Sequence, residues 1–166
     1  METRTYTVYK FDELTDQAKE KAIERYREND DYPFLEDSLT EYTAELLEKK
    51  KIVPINKDFE IGYSLSNCQG DGFQFVGLFE WKGYTVLIKH NGHYSHSKCV
   101  SFDIDTPNGN DAHENIYNKF KALYEKICDD AENYGYEIID AQQDEKNIIE
   151  NFEANEYMFT EKGEID

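Results

Sequence analysis

The chain has 166 residues and carries 36 acidic against 18 basic side chains, a net charge of −18. A surface this negative repels phosphate, which argues against direct binding of nucleic acid. No apolar run approaches the roughly 20 residues that span a bilayer, and the opening residues METR lack the apolar stretch of a signal peptide. Three widely spaced cysteines are typical of reduced thiols, so we expect a cytoplasmic protein.

The first part of the chain, residues 1–54, predicts a strand followed by two helices. Residues 4–10 alternate in polarity, as a half-buried strand does. The first helix has apolar residues at helical spacing, namely Leu14, Ala18, Ala22, Ile23 and Tyr26. The second has the stripe Leu35, Leu39, Tyr42 and Leu46. Pro33 suits the first turn of this second helix, and Pro54 stops it.

Residues 55–106 predict an antiparallel meander of about four strands. The strands are marked by alternating apolar residues around Phe59–Leu65, Phe73–Trp81, Tyr84–Ile88 and Val100–Ile104. Lys82-Gly83 has the length of a two-residue hairpin turn. Gln69-Gly70-Asp71-Gly72 predicts a tight turn, since no Gly-Lys-Ser/Thr of a phosphate-binding loop follows it.

Residues 107–166 predict an acidic helical region and a terminal strand. A long helical stripe comprises Ile116, Phe120, Leu123, Ile127, Ala131, Tyr134 and Ile138. Gly135 is a point where this helix is expected to kink or divide, and the stripe continues at Ile148, Ile149 and Phe152. The tail from Tyr157 to Asp166, with a turn at Lys162-Gly163, predicts an edge strand or a hairpin.

These elements predict an α+β fold in a single domain, residues 1–166. Its antiparallel sheet of about four to six strands is expected to pack with an N-terminal helix pair and a long acidic C-terminal helix. Aromatic side chains carry large apolar area, and the chain has 13 Tyr and 10 Phe. We therefore expect a core rich in Tyr and Phe.

The negative charge is concentrated towards the C-terminus. Residues 129–166 contain 13 acidic side chains against Lys146 and Lys162, a net charge of −11. Such a comb of carboxylates resembles the charge spacing of a nucleic-acid backbone and predicts a contact with a basic protein. On a helix, Glu137, Asp140 and Asp144 share one flank, to which Asp129, Asp130 and Glu132 add. The predicted partner-binding residues are Asp129, Asp130, Glu132, Glu137, Asp140, Asp144 and Glu145.

The alternative interpretation of this charge is a solvated face that keeps the protein soluble. Solubility requires a net charge of about 2 to 8 for a small domain, which is well below the magnitude here. The excess destabilises the folded state by self-repulsion, which favours a use for it.

A second candidate is the segment 90–99, in which three histidines and a cysteine recur every third residue: His90, His93, His96 and Cys99. These are zinc-ligand types, but triplet spacing in a hairpin loop does not bring four ligands together. We expect a polar loop with Tyr94 folded back on the sheet, and we predict neither a metal nor a cofactor.

Two further patterns resemble chemical sites in part. Residues 103–114 follow a calcium-loop outline, but proline at the fifth position and glycine at the seventh break it. We expect a strand-to-helix turn in which Asp111 caps the helix, with Glu114 three residues on. A Cys68–histidine pair is conceivable as a thiol nucleophile, yet nothing local activates Cys68, and Cys128 is expected in the core. We predict no catalytic residue and no enzymatic activity.

Three segments, TYTVYKFDELTDQAKEKAIERYRE (5–28), YSLSNCQGDGFQF (63–75) and NEYMFTEKGEID (155–166), resemble small uncharacterised proteins of bacteriophages and mobile elements. Such small acidic proteins are often inhibitors of host defence, of the anti-CRISPR or anti-restriction kind. The resemblance implies a phage-encoded inhibitor acting in the host bacterial cytoplasm. Together with the charge, it predicts a nucleic-acid mimic that binds a host nuclease, above all one of the RNA-guided Cas9 type.

Two other functions stay open from the sequence. One is an antitoxin-like or regulatory module that binds a different basic partner. The other is a metal- or thiol-dependent enzyme that uses the 90–99 loop. A monomer and a homodimer are both compatible with the 13 tyrosines, since tyrosine is favoured at interfaces as well as in cores.

Overall fold

The structure is a computed structural model that describes residues 7–29 and 32–166. These residues form four α-helices and a five-stranded antiparallel sheet, which confirms the predicted α+β class. The elements in chain order are α1 (Asp16–Arg27), α2 (Leu35–Lys49), β1 (Ile52–Pro54), β2 (Glu60–Ser64), β3 (Gly72–Trp81), β4 (Tyr84–His90), β5 (Val100–Asp105), α3 (Glu114–Gln143) and α4 (Glu145–Ala154). Among the described residues, no helix has the length and apolarity needed to cross a bilayer.

The chain divides into two compact units. The terminal unit comprises Met1–Pro33 and Ile138–Asp166, and the sheet unit comprises Phe34–Glu137. The sheet unit contains all five described strands, together with α2 and most of α3. That the whole chain behaves as a single domain stays a prediction.

The predicted meander is confirmed as β2–β3–β4–β5. Its β3–β4 turn has Lys82 at φ 53° and Gly83 at φ 82°, the left-handed pair that a two-residue type I′ turn requires. A fifth strand, β1, pairs with β3 and was not predicted. Pro54 ends this short strand rather than α2, because a proline without an N–H is tolerated at a sheet edge.

The core of the sheet unit lies between the inner face of the sheet and α3. Phe73, Phe75 and Phe79 are fully buried there, and the Tyr124 hydroxyl on α3 donates to Phe75 O at 3.0 Å. Phe120, Ile127 and Ala131 are buried as predicted, whereas Ile116, Leu123 and Ile138 are only partly buried. The buried stripe instead takes in Tyr124 and Cys128, so it is shifted around the helix by about one position.

Gly135 does not divide α3, which is continuous from Glu114 to Gln143. A Cβ at this position would overlap Leu65 Cδ1 and lie 3.3 Å from Leu39 Cδ2. The glycine therefore allows close packing of α3 against its neighbours in the sheet unit, and the predicted break in the helix is wrong.

The terminal unit has its own apolar core. Its buried members are Phe11, Leu14, Ala18, Ala22, Ile23, Ile148, Phe152 and Phe159. Thr15 caps α1 by accepting a hydrogen bond from Ala18 N at 3.3 Å. The tail turns at Gly163 (φ 79°), and its two arms pair through one antiparallel bridge, Phe159 with Ile165. The hairpin alternative is therefore confirmed in a minimal form, and a regular terminal strand is not formed.

Two predictions near the N-terminus are corrected. Of the predicted strand at 4–10, residues 4–6 lie outside the described residues, and residues 7–10 make one isolated bridge, between Tyr9 and Phe159. A 3-10 turn follows at once from Phe11, which leaves no length for a regular strand. Pro33 precedes α2 by two residues, with Phe34 at the N-cap, and is not in the first helical turn.

Candidate functional site

The sheet unit holds four of the seven carboxylates predicted to bind a partner, all on α3. Asp129 and Glu137 are exposed, while Asp130 and Glu132 are half-buried. At about 100° per residue, Asp130 and Glu137 share one side of the helix and Asp129 and Glu132 share another. The predicted single flank is therefore wrong for this segment, which presents acid on two sides of α3.

Glu132 is one of the two half-buried groups in this set. Burial raises the pKa of Glu132, and the carboxylates of Asp129 and Asp71 raise it further, while His96 lowers it. Glu132 is therefore less available to a partner than Asp129 or Glu137, which are exposed.

The terminal unit holds Asp140, Asp144 and Glu145, all three exposed. Asp140 is on α3, but α3 ends at Gln143, and Asp144 is the N-cap of α4. The Asp144 carboxylate accepts hydrogen bonds from Lys146 N at 3.1 Å and Asn147 N at 3.4 Å. The predicted helical flank through Asp144 is wrong because an aspartate here satisfies free N–H groups at a helix start.

The seven predicted partner-binding carboxylates are alike in their lack of ion pairs within the described residues. In the part of the chain that the structure describes, none of them forms a salt bridge. Other acidic side chains do so, for example Asp103 with Lys89 at 2.6 Å and Glu125 with Lys121 at 3.9 Å. The exposed carboxylates of this set, in each unit taken by itself, therefore have their charge available to an external cation.

The loop between β2 and β3 contains a cluster that sequence reasoning missed. The Asp71 carboxylate accepts six hydrogen bonds, from Ser64 Oγ (3.0 Å), Ser66 Oγ (3.0 Å), Ser66 N (2.7 Å), Cys68 N (3.0 Å), Cys68 Sγ (3.2 Å) and Tyr136 Oη (2.5 Å). The only local signal was an aspartate between two glycines, which predicted the turn and not its bond to α3.

Titration of the Asp71 cluster follows from these contacts. Burial alone would raise the pKa of Asp71, but its hydrogen bonds, first the one from Tyr136, outweigh burial and hold that pKa well below its usual range. Burial and the bond to Asp71 raise the pKa of Tyr136 to about 12. Asp71 is thus a saturated anion that fixes the loop, and it is not available as a general base.

Cys68 is exposed, and its thiol lies 3.2 Å from Asp71 Oδ1 and 3.0 Å from Ser66 Oγ. Within the described residues, no hydrogen bond joins Cys68 to a histidine. A thiol nucleophile needs an adjacent base, and the carboxylate beside this one is saturated. Cys128 is buried in the core, as predicted.

The 90–99 loop does not gather its histidines. His96 Nδ1 accepts from Lys98 N at 3.0 Å, and His90 Nε2 lies 3.3 Å from Tyr94 O. Across residues 7–29 and 32–166, no group of three or more His, Cys, Asp or Glu side chains could hold a metal ion.

Tyr94 is 63% exposed and is not folded back on the sheet, which corrects the prediction. Its ring lies beside Gly70, where a Cβ would be 3.7 Å from Tyr94 Cδ1. The sheet is covered instead by Ser95 and His96, because Gly62 and Gly72 leave the space that those residues occupy.

In the turn at 103–114, the predicted helix cap at Asp111 is not formed. Asp111 makes an isolated bridge with Asp105, and α3 begins only at Glu114. Asp111 is therefore too far from the helix to be its cap, and the segment is held by backbone bonds such as Ala112 N to Ile104 O at 2.8 Å.

Comparison of the chain with protein-family models, with curated proteins and with solved structures finds no match. The resemblance to phage proteins therefore stays a prediction.

Proposed function

We propose that the protein is a non-enzymatic inhibitor of a bacterial defence nuclease, anti-CRISPR-like and directed at an RNA-guided enzyme of the Cas9 type. It binds a basic, nucleic-acid-accepting surface of that nuclease through its acidic residues. The observation that carries this proposal is the set of carboxylates on α3 and α4 without an ion-pair partner among the described residues.

Charge spacing on α3 supports mimicry of a nucleic-acid strand. From Asp129 to Glu137 the helix rises roughly 12 Å, at 1.5 Å per residue, and carries four carboxylates. The mean axial spacing between neighbouring charges is ~4 Å, near the ~3.4 Å per charge of one DNA strand. A Cas9-type nuclease holds its heteroduplex in a positively charged channel, which is a complementary surface.

The acidic part of α3 is held in place on two sides within the sheet unit. The Tyr134 ring stacks on Tyr42 of α2, with centroids 4.1 Å apart and planes at 21°. On the other side, Tyr136 donates to Asp71 at 2.5 Å. A surface fixed before binding loses less conformational entropy when it meets a partner.

A charge-reversal series tests the proposal. Asp129→Lys, Asp130→Lys and Glu137→Lys are combined in one variant, which leaves the Asp144 cap intact. The matched control reverses three exposed acids elsewhere in the sheet unit, Glu41→Lys, Glu48→Lys and Asp58→Lys. Both variants change the net charge by +6, so a general electrostatic effect acts on them equally.

Inhibition of target cleavage by a guide-loaded Cas9-type nuclease is then measured at increasing target DNA. Wild-type potency should fall as DNA rises, because the two compete for one surface. The α3 variant should lose about 100-fold in potency, or roughly 1 kcal/mol per reversed charge, while the control stays close to wild type. Equal losses in both variants, or full potency of the α3 variant, would contradict the proposal.

A tagged pull-down from a lysate that contains defence complexes identifies the partner class. A guide-bound nuclease that added DNA displaces supports the mimic. A nuclease that DNA cannot displace indicates inhibition by another route, and a stable complex with one small basic protein indicates an antitoxin-like or regulatory module. Stoichiometric zinc or iron in the purified protein would instead favour an enzyme that uses the 90–99 loop.

A further inference from the structure

The terminal unit contains an open cavity at the C-terminal end of α4. Its volume is about 550 Å³, which falls in the ordinary range for small-ligand sites, roughly 300–1,000 Å³. The apolar part of its lining comprises Phe11, Phe152, Tyr157 and Met158. The Phe152 ring centroid lies 5.3 Å from that of Phe11 and 5.7 Å from that of Tyr157, so the three rings form one continuous apolar surface.

The polar part of this lining is mainly acidic. Asp12, Glu153 and Glu156 contribute three carboxylates and Lys10 contributes one ammonium group, a net charge of −2. All four side chains are exposed. Within the described residues, none of the three carboxylates forms a salt bridge, although Lys10 lines the same cavity. The carboxylates of the cavity are therefore open to an external cation.

The end of α4 fixes the backbone at Glu156. The helix ends at Ala154 in a Schellman motif, in which Tyr157 N donates to Phe152 O at 3.0 Å and Glu156 N donates to Glu153 O at 3.2 Å. Glu156 consequently has a φ of 52°, at a position where glycine is usual because a Cβ is disfavoured there. The C-terminal end of a helix also carries partial negative charge. The chain thus places a carboxylate where it strains the backbone, beside a cavity of the same sign.

We propose that this cavity binds a linear polyamine, such as spermidine. A polyamine carries ammonium groups that are separated by short runs of methylene groups. The methylene groups pack on the ring surface while the ammonium groups meet the carboxylates, just as a lysine side chain buries its stem and keeps its charge in water. An ammonium group over a ring face gains a further attraction.

The same lining disfavours other ligand classes. An anion is repelled by the net charge of −2 and by a helix end that is itself negative. A neutral apolar ligand leaves the carboxylates without a counter-charge. A lysine-rich peptide also offers ammonium groups, but its backbone N–H and C=O groups would face apolar rings without partners. A metal ion needs several converging ligands, and no group of three is found among the residues that the structure describes.

Nuclear magnetic resonance of the full chain locates the site. Spermidine is added up to ~5 mM at ~150 mM salt, which screens the surface charge. The amide signals of residues 10–12 and 152–158 should shift and reach saturation together. The signals of Asp129 and Glu137 on α3, which are also exposed, should shift less and without saturation. Saturable shifts of the same affinity along α3 would show that the amine is a general counter-ion and would overturn the proposal.

Neutral variants test the carboxylates of the cavity. Glu153→Gln with Glu156→Gln should weaken spermidine binding about tenfold, the effect of two exposed ion pairs. The matched control neutralises two exposed acids of the same unit outside the cavity, Glu28→Gln with Glu161→Gln, and should stay within about twofold of wild type. Because both variants lose two negative charges, equal weakening would mean that the cavity is not the site.

A charge-matched peptide distinguishes the source of the ammonium groups. Spermidine and a trilysine peptide with blocked termini each carry about three positive charges at pH 7. Spermidine should bind more tightly, because it has no peptide groups to place against the rings. Tighter binding of the peptide at residues 10–12 and 152–158 would overturn the assignment to a polyamine and favour a basic protein segment.

Glu156→Gly separates binding from folding. Glycine fits the left-handed conformation, so this variant should raise the midpoint of urea unfolding, followed by circular dichroism. It should nevertheless weaken spermidine binding about threefold, because one carboxylate is lost. Unchanged binding, or weaker binding together with a lower midpoint, would overturn the role given to Glu156.

Discussion

The hydroxyl of Tyr136 on α3 donates a 2.5 Å hydrogen bond to Asp71 Oδ2 in the loop between β2 and β3. It joins the acidic helix to the sheet of the same unit, across 65 residues of sequence. Because Asp71 also holds the backbone at Ser66 and Cys68, one carboxylate fixes both the loop and the helix.

Removal of this hydroxyl should weaken the sheet unit. We expect Tyr136→Phe to lower the free energy of unfolding by about 1.5 kcal/mol, the lower end for a bond to a charged group, because five other donors remain on Asp71. Urea unfolding followed by Trp81 fluorescence measures this. Tyr134→Phe is the control, since the ring stacked on Tyr42 stays in place; an equal loss there would show that the bond to Asp71 is not the cause.

The Asp71 carboxylate should make stability depend on pH in the acid range. Its pKa in the folded state lies below the ordinary value of 3.8, because its hydrogen bonds outweigh the opposing effect of burial. The stability it contributes is therefore present above about pH 4 and is lost as pH falls through the folded-state pKa.

Asp71→Asn should accordingly lower the free energy of unfolding by about 3 kcal/mol at pH 7, since it removes the charge and leaves donors unpaired. When pH falls from 7 to about 2, the difference between wild type and Asp71→Asn should stay constant down to about pH 4 and then shrink. Comparison of the two proteins cancels the other carboxylates, which titrate in both. A difference that stays constant over this range would mean that the ionised form of Asp71 is not what stabilises the loop.

The elements predicted from the sequence are those with a local pattern. The stripes of α1 and α2 and the alternation of β2 to β5 each lie within one element, so a short window contains the signal. Strand β1 was missed because Pro54 also marks the end of a helix, and its pairing with Trp81 is remote in sequence. The prediction for α3 found the helix but misplaced its stripe, because Tyr124 can be buried only with its hydroxyl bonded to Phe75 O, a partner that no spacing reveals.

The predicted acidic residues are partly in the expected positions. Exposure of Asp129, Glu137 and Asp140 follows from helical position, but the break between Gln143 and Asp144 depends on a capping interaction. The Asp71–Tyr136 bond could not be predicted at all, because both partners are ordinary residues until the fold brings them together.

Gly135 offers a test of close packing on α3. An alanine favours the helix by about 1 kcal/mol, but its Cβ would overlap Leu65 Cδ1, and overpacking costs typically 1–3 kcal/mol. We expect Gly135→Ala to lower the free energy of unfolding by about 1 kcal/mol. In a Leu65→Ala background the same change should become neutral or stabilising, which a double-mutant cycle measured by urea unfolding will show. If Gly135→Ala lowers the free energy of unfolding equally in both backgrounds, the overlap with Leu65 is not the cause.

Gly163 is the one glycine of the terminal unit, and it should not tolerate a larger residue. Its φ is 79°, and a Cβ would overlap the carbonyl oxygen of Ala18, a backbone atom that cannot rotate away. We expect Gly163→Ala to lower the free energy of unfolding by at least about 2 kcal/mol and to speed amide hydrogen exchange in α1. Gly109→Ala is the control, because Gly109 has a φ of 76° with no atom within 4 Å of a Cβ. If the two variants lower the free energy of unfolding equally, the positive φ and not the overlap with Ala18 is the cause.

The unpaired carboxylates of α3 should lower the stability of the fold that carries them. Asp129→Asn with Glu137→Gln should raise the free energy of unfolding by about 0.5 kcal/mol at low salt. The gain should vanish near 1 M salt, where the Debye length is about 3 Å. Glu125→Gln is the control, because Glu125 pairs with Lys121 on the same helix, and loss of that pair offsets the repulsion from Asp129 that its removal relieves. Urea unfolding at the two salt concentrations measures wild type, the double variant and Glu125→Gln.

If the double variant gains stability and also loses nuclease inhibition, then these charges serve the contact with a partner. A loss of stability in the double variant would mean that they support the fold.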